Sequence, residues 1–295
     1  MTAICRGESL RAVCVGYITR EPGLIRQYFT RRAIIVGGPC LADDCSEEEA
    51  HALMQAVRRQ LAVGHGALMN APIYIETRNF NDYSPWREAF EKAGFVYKKH
   101  LNFHFDCSDK EQLWERLSEA RRRQIRKAIQ SGVTIEEAQT ESEVREWYII
   151  LHRLYKRKVK TPLFPWEFFL AFFRQKTGKY LFVKYEGKVI GGIMCPVFDG
   201  RCIYEWFVCG LDLEYKDQYP SVMATWAALE YANTHALPKF DIMGAGEPDV
   251  PYGVRDFKAA FGGKLVEYGR FLYIAHPLLY RIGAAVVKWR KGKLD

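Results

Sequence analysis

The chain has 295 residues, 48% of them hydrophobic and 26% charged, a length and balance that exclude a disordered or fibrous chain and leave room for two ordinary cores. Its 43 Lys+Arg stand against 35 Asp+Glu, and the resulting +8 favours anionic partners such as phosphates, nucleic acid or a lipid-headgroup surface without choosing among them.

The first forty residues read as strands and turns, with RAVCVGYI and RRAIIVGG rich in β-formers and Gly37-Gly38-Pro39 closing the second. Residues 44–63 predict a helix, from an acidic first turn, apolar positions at Ala50, Met54, Val57 and Leu61, and Gly64 beyond. PIYIET predicts a strand, SPWREAFEKAGF a helix stopped by Gly94, and YKKHLNFHFD another strand. From Ser108 to Gln130 the pattern is helical and basic, with Leu113, Leu117, Ala120 and Ala128 on one side. A helix over 142–158 and another in PWEFFLAFFRQK follow, the second with Pro165 in its first turn. KYLFVKYEG, KVIGGIMCPVFDG and RCIYEWFVCG predict three strands joined at Glu186-Gly187 and Asp199-Gly200, dipeptides suited to tight hairpins. A helix over 219–235, the strand KFDIMG, a Gly/Pro loop and the helical RDFKAAFGG come next. KLVEYGRFLYIA and a basic amphipathic helix, PLLYRIGAAVVKWRKGK, close the chain.

The eight cysteines form no C-x-x-C pair and no His stands at zinc-finger spacing, so no metal is expected. Cys195, Cys202 and Cys209 lie in apolar runs where a packed, reduced thiol is expected, which fits a reducing compartment. MTAICRGESLRAV lacks the apolar stretch of a signal peptide, and no apolar run reaches the roughly 18 residues a spanning helix needs. The expectation is a cytoplasmic protein, with helix 277–291 able to meet the inner face of a membrane.

Three stretches carry a family resemblance: RRRQIRKAIQSGV (121–133), LHRLYKRKVKTPLFPWEFF (151–169) and KFDIMGAGEPDVPYGVRDFKAAFGGKLVEY (239–268). Together with the order of two helices, an antiparallel meander, a helix and a strand, they resemble the FemABX acyltransferases. The resemblance implies an α/β (α+β) fold of two tandem GNAT-like domains, each a mixed, mostly antiparallel sheet flanked by helices. The domains are expected at 1–141, completed by 268–295, and at 142–267. It further implies transfer of an acyl or aminoacyl group to an amine of a cell-envelope (peptidoglycan) precursor, anionic and lipid- or nucleotide-linked. Some members take an aminoacyl-tRNA as donor. Two alternatives stand beside this: an N-acyltransferase using acyl-CoA or an acyl carrier, and a non-catalytic module binding RNA or a membrane surface. No cofactor is expected beyond the acyl donor itself.

An ordinary acetyltransferase holds the acetyl-CoA pyrophosphate in a Gly-rich loop at a helix N-terminus. Here that junction reads CGLDLEYKDQYPS (209–221), acidic and without the loop. The imitations are Val63-Gly64-His65-Gly66-Ala67, which follows a helix, and Gly244-Ala245-Gly246, with Asp241 in place of the basic residue.

The resemblance places a substrate-contacting or catalytic lysine at Lys258, after the aromatic Phe257. An ammonium there can stabilise the tetrahedral oxyanion formed when an amine attacks an ester, against the bland alternative of a solvated helix lysine. Asp241 can orient the amine or accept its proton, or cap the following loop. Tyr252 can wall a peptide site or serve the turn. Arg157 and Lys158, with Lys156 and Lys160, can meet a diphosphate or complement a helix C-terminus. Arg116, Arg123, Arg126 and Lys127 are candidate RNA contacts or a solvated face. Tyr204 and Trp206 flank Glu205 on one strand and face either a substrate or the core.

Overall fold

The computed structural model describes residues 1–21, 23, 26–63 and 71–291; the Gly64-His65-Gly66-Ala67 stretch lies outside them. The chain forms two compact units, residues 1–100 with 267–295 and residues 101–266. The boundary expected at 141/142 therefore falls inside the second unit, which also contains residues 101–141.

In the first unit, a five-stranded sheet runs in the order Tyr17–Thr19, Arg32–Gly37, Tyr74–Asn79, Arg270–Ile274, Val96–Lys98. A three-stranded sheet joins Thr2–Arg6, Ser9–Cys14 and Cys40–Leu41. RAVCVGYI is thus not one strand: it breaks at Gly16, where a Cβ would stand 2.9 Å from the Ile34 carbonyl oxygen. Helix Glu47–Val63 buries Ala50, Leu53, Met54 and Val57 against Phe90, Phe95 and Phe271.

The second unit is built on an eight-stranded sheet. Its main path runs Lys264–Glu267, Leu101–Asp106, Lys239–Asp241, Cys202–Tyr204, Lys188–Phe198, Gly178–Tyr185, Thr134–Glu137, with Phe207–Gly210 also paired to Lys188–Phe198. Helix Pro220–Thr234 is apolar nearly all round, which matches the burial of every residue from Val222 to Leu229 against one face of the sheet. Trp147, from helix Glu141–Leu154, is fully buried on the other face, edge-on to Tyr180 at 5.2 Å and Phe169 at 5.9 Å.

Two single strands of the sequence reading are cut and shared. YKKHLNFHFD yields Val96–Lys98 in the first unit and Leu101–Asp106 in the second. KLVEYGRFLYIA yields Lys264–Glu267 in the sheet of the second and Arg270–Ile274 in that of the first. The basic helix read over 108–130 also breaks, because Ser118 caps a new start by accepting the Arg121 N–H at 3.3 Å.

Helix Glu141–Leu154 opens with a capping box, in which Thr140 and Glu143 bond reciprocally to each other's backbone N–H. The Lys184 ammonium, 2.6 Å from Glu143, and the backbone N–H groups of Gln139 and Thr140 hold the Glu143 carboxyl down at about 2. A carboxyl depressed from 4.5 in the native state contributes stability above 4.5 that is lost as pH falls toward 2. Glu143→Gln is expected to flatten that acid-side loss, measured as urea midpoints across this pH range; an unchanged slope would place the acid sensitivity elsewhere.

Candidate active site

Strand pairing opens the site. Cys202–Tyr204 pairs in parallel with Lys239–Asp241, whereas Phe207–Gly210, the continuation of the same segment, pairs among the described residues with 191–194 alone. Between them the register against Lys188–Phe198 shifts by one residue, a bulge at Glu205 and Trp206. Glu205 N–H still reaches the Asp241 carbonyl at 2.9 Å and Trp206 N–H the Met194 carbonyl at 3.0 Å, so the segment parts from its neighbour just after Glu205.

A buried polar network lies at this parting. Lys258, 8% exposed, donates to the carbonyls of Ile242 at 2.7 Å and Gly244 at 2.9 Å and pairs with Glu205 Oε1 at 3.0 Å. Those three partners account for the three hydrogens of an ammonium. Lys258 is therefore neither a solvated helix lysine nor a free donor: it ties helix Gly253–Ala259 to the 242–244 loop and to the bulge. Burial pushes the Glu205 carboxyl above its usual range; the Lys258 charge opposes that shift and the Asp241 charge adds to it.

Asp241 is fully buried. Its Oδ1 accepts from Asn102 Nδ2 at 2.7 Å and from Met243 N–H at 2.8 Å, and its Oδ2 stands 3.0 Å from His104 Nε2. Asn102 Oδ1 accepts from Gly244 N–H at 2.7 Å, so the loop is held from both ends of one amide. Register makes the arrangement: Tyr204, Asp241 and His104 are cross-strand partners in three adjacent strands and so share one face, while Ile203, Phe240 and Phe105 turn to the core. Burial pushes the Tyr204 phenol upward. His104 also lines a cavity of about 450 Å³, with Phe105, Leu113 and Phe261 as apolar walls and Asp106, Arg116 and Lys264 as charged ones.

At the start of helix Pro220–Thr234, the Asp212 carboxylate accepts from Ser221 N–H at 3.0 Å and from Ser221 Oγ at 2.5 Å. A negative group of the chain itself thus sits at the helix end that a pyrophosphate would otherwise approach.

Residues 116–258 match the family described as an acetyltransferase (GNAT) domain. No curated protein matches the chain by sequence. Among solved structures, FemX superposes with a TM-score of 0.69 at 14% identity, covering 95% of this chain and 89% of that one. The chain has a FemX-like GNAT fold. The C-terminal domain (DUF2156) of a putative lysylphosphatidylglycerol synthetase from Agrobacterium fabrum gives 0.57 at 14% identity, over 89% of this chain and 80% of that one. A tandem GNAT protein from the clavulanic acid biosynthesis pathway gives 0.53 at 11% identity, over 92% and 82%.

Within the GNAT domain the remaining candidates scatter. Phe257 packs beside the core, edge-on to Phe261 at 5.4 Å, and the Arg121 guanidinium covers it at 4.4 Å. Trp206 is half-buried and stacks on Phe168 at 5.7 Å, so its ring serves the aromatic core around Trp147. Tyr252 is 43% exposed and lies against Gly246, where a Cβ would meet its ring at 2.9 Å. Arg157 and Lys158 are exposed on a π-helical turn, Tyr155–Val159. Of the basic cluster, Lys127 pairs with Asp217 at 2.7 Å, Arg126 covers Trp114 at 5.2 Å, and Arg116 joins Gln112 at 3.0 Å beside the His104 cavity. Arg123 lines an open groove of about 600 Å³ with Arg122, Arg126 and Lys127.

Sequence reasoning missed Asn102, His104 and Asp212, and treated Glu205 only as a spacer. The one available signal was polar side chains at alternate positions of the otherwise apolar LNFHFD. All eight cysteines are free, and burial pushes the Cys195 and Cys209 thiols up. Among the described residues no cluster of His, Cys, Asp or Glu could hold a metal, and no helix is long and apolar enough to cross a membrane.

Proposed function

We propose that this chain is an acyltransferase that moves an acyl or aminoacyl group onto an amine of a cell-envelope precursor. The observation that carries the reading is a GNAT domain whose helix Pro220–Thr234 is capped by its own carboxylate, Asp212. An enzyme of this fold with that helix end filled by an acid calls for a donor held otherwise than acetyl-CoA. The FemX-like fold and the likeness to a domain of a putative lysylphosphatidylglycerol synthetase favour an aminoacyl donor, such as a charged tRNA, and a lipid- or nucleotide-linked acceptor.

In this reading His104 is the general base and Asp241 its orienting partner. Nε2 of His104 stands 3.0 Å from Asp241 Oδ2, and the imidazole takes the proton of the attacking amine. The amine nitrogen bonds to the ester carbonyl carbon, the ester C–O bond breaks, and the proton passes from His104 to the departing oxygen. Lys258 is a positioning residue: it fixes the 242–244 loop that bonds Asp241 and Asn102. The grooved basic face around Arg123 is where an anionic donor would lie, and Arg157 and Lys158 remain surface contacts for a diphosphate.

Calorimetry with acetyl-CoA tests the donor argument, and weak or no binding is expected. Micromolar affinity, with phosphate contacts mapped to Ser221 and the start of its helix, would overturn it in favour of an acyl-CoA enzyme. Mass spectrometry of the chain incubated with charged tRNA and with nucleotide- and lipid-linked muropeptides then identifies the substrates.

A further inference from the structure

The first unit carries an apolar surface that its core does not use. Helix Pro277–Lys291 turns Tyr280 inward, edge-on to Tyr74 at 5.5 Å, and the Phe29 carbonyl oxygen lies 3.9 Å from where a Cβ on Gly283 would stand. A neighbouring face of the helix carries Leu278, Ile282 and Val286 at i, i+4 and i+8, and they remain 72%, 42% and 44% exposed. Tyr28 and Phe29, in the short helix Arg26–Phe29 beside it, are 36% and 42% exposed. An outward apolar row at helical spacing, continued by aromatic rings on a second element, marks an interaction surface.

Charge selects the occupant. The sequence of this helix carries Arg281, Lys288, Arg290 and Lys291 and no acidic residue, within a chain of net charge +8. A second copy of the chain would bring like charge against like charge, whereas a surface of anionic lipid headgroups complements it. An amphipathic helix of apolar and basic residues lies in such an interface with its apolar side in the headgroup–acyl boundary.

We infer that this face docks on an anionic bilayer surface, with Leu278, Ile282 and Val286 entering the boundary and Tyr28 and Phe29 beside them. The inference deepens the proposed function, because a lipid-linked acceptor is presented at such a surface, and it rests on that reading only for its biological purpose.

The test is sedimentation of the full chain with phosphatidylcholine vesicles, with and without phosphatidylglycerol. The chain is expected to sediment with the phosphatidylglycerol vesicles alone, and less as salt rises. Leu278→Glu with Ile282→Glu is expected to weaken binding by about tenfold or more while leaving thermal unfolding unchanged, since both side chains are exposed. A wild type that stays in the supernatant with both vesicles, a double variant that binds undiminished, or a dimer that the double variant dissolves would each overturn the inference. No substrate enters the assay. Transfer without vesicle binding would sink the docking surface and spare the transferase, and binding without transfer would do the reverse.

Discussion

Lys258→Met is expected to destabilise the chain by about 3–5 kcal/mol, the cost of leaving a buried charge without its partner. Glu205 is 7% exposed, its ion pair is with Lys258 and the Asp241 charge adds to its burial cost, and the Ile242 and Gly244 carbonyls lose their donor as well. Lys258→Met with Glu205→Leu removes both charges, and most of the loss is expected to return, because a buried ion pair is often replaceable by apolar side chains of similar volume. Urea midpoints of the wild type, both single variants and the double variant close the cycle. If Lys258→Met shifts stability by less than about 1 kcal/mol, the range of exposed pairs, the network is not holding the loop.

His104→Asn is expected to lower kcat by roughly 10²–10⁴ with KM nearly unchanged, the scale of losing a general base. His104 is half-buried at a strand position and its substitution opens no large core void, so thermal unfolding should barely move. Asp241→Asn should follow His104→Asn in kcat but also cost stability, since Oδ1 anchors Asn102 and Met243. A His104→Asn enzyme within about twofold of wild type, on a substrate the wild type transfers, would remove His104 from the chemistry and leave the Lys258 network as the remaining candidate.

Much of the architecture is legible without coordinates, because the signals are local. The Gly94 stop, the Pro165 start, and the Glu186-Gly187 and Asp199-Gly200 hairpins follow from what a few consecutive backbone angles permit. The acidic junction at 209–221 already announces that no Gly-rich cradle precedes helix Pro220–Thr234. Even there, what Asp212 does depends on its being brought back to Ser221, nine residues along. Thr134–Glu137, a short edge strand of mostly polar residues, went unread because an edge needs no apolar alternation.

The sequence by itself determined most of the helices and strands and several of their stops and turns, the GNAT-like succession and the basic, amphipathic last helix. Only the tertiary structure decided where YKKHLNFHFD and KLVEYGRFLYIA divide between two units, since alternation encodes which face of a strand is buried and not which sheet receives it. The same limit hid the site. Asn102 and Asp241 lie 139 residues apart, and Lys258 reaches Glu205 across another long loop of chain. Their meeting follows from strand register and from a one-residue bulge, and a buried charge becomes visible only when the partners that make its burial tolerable are in place.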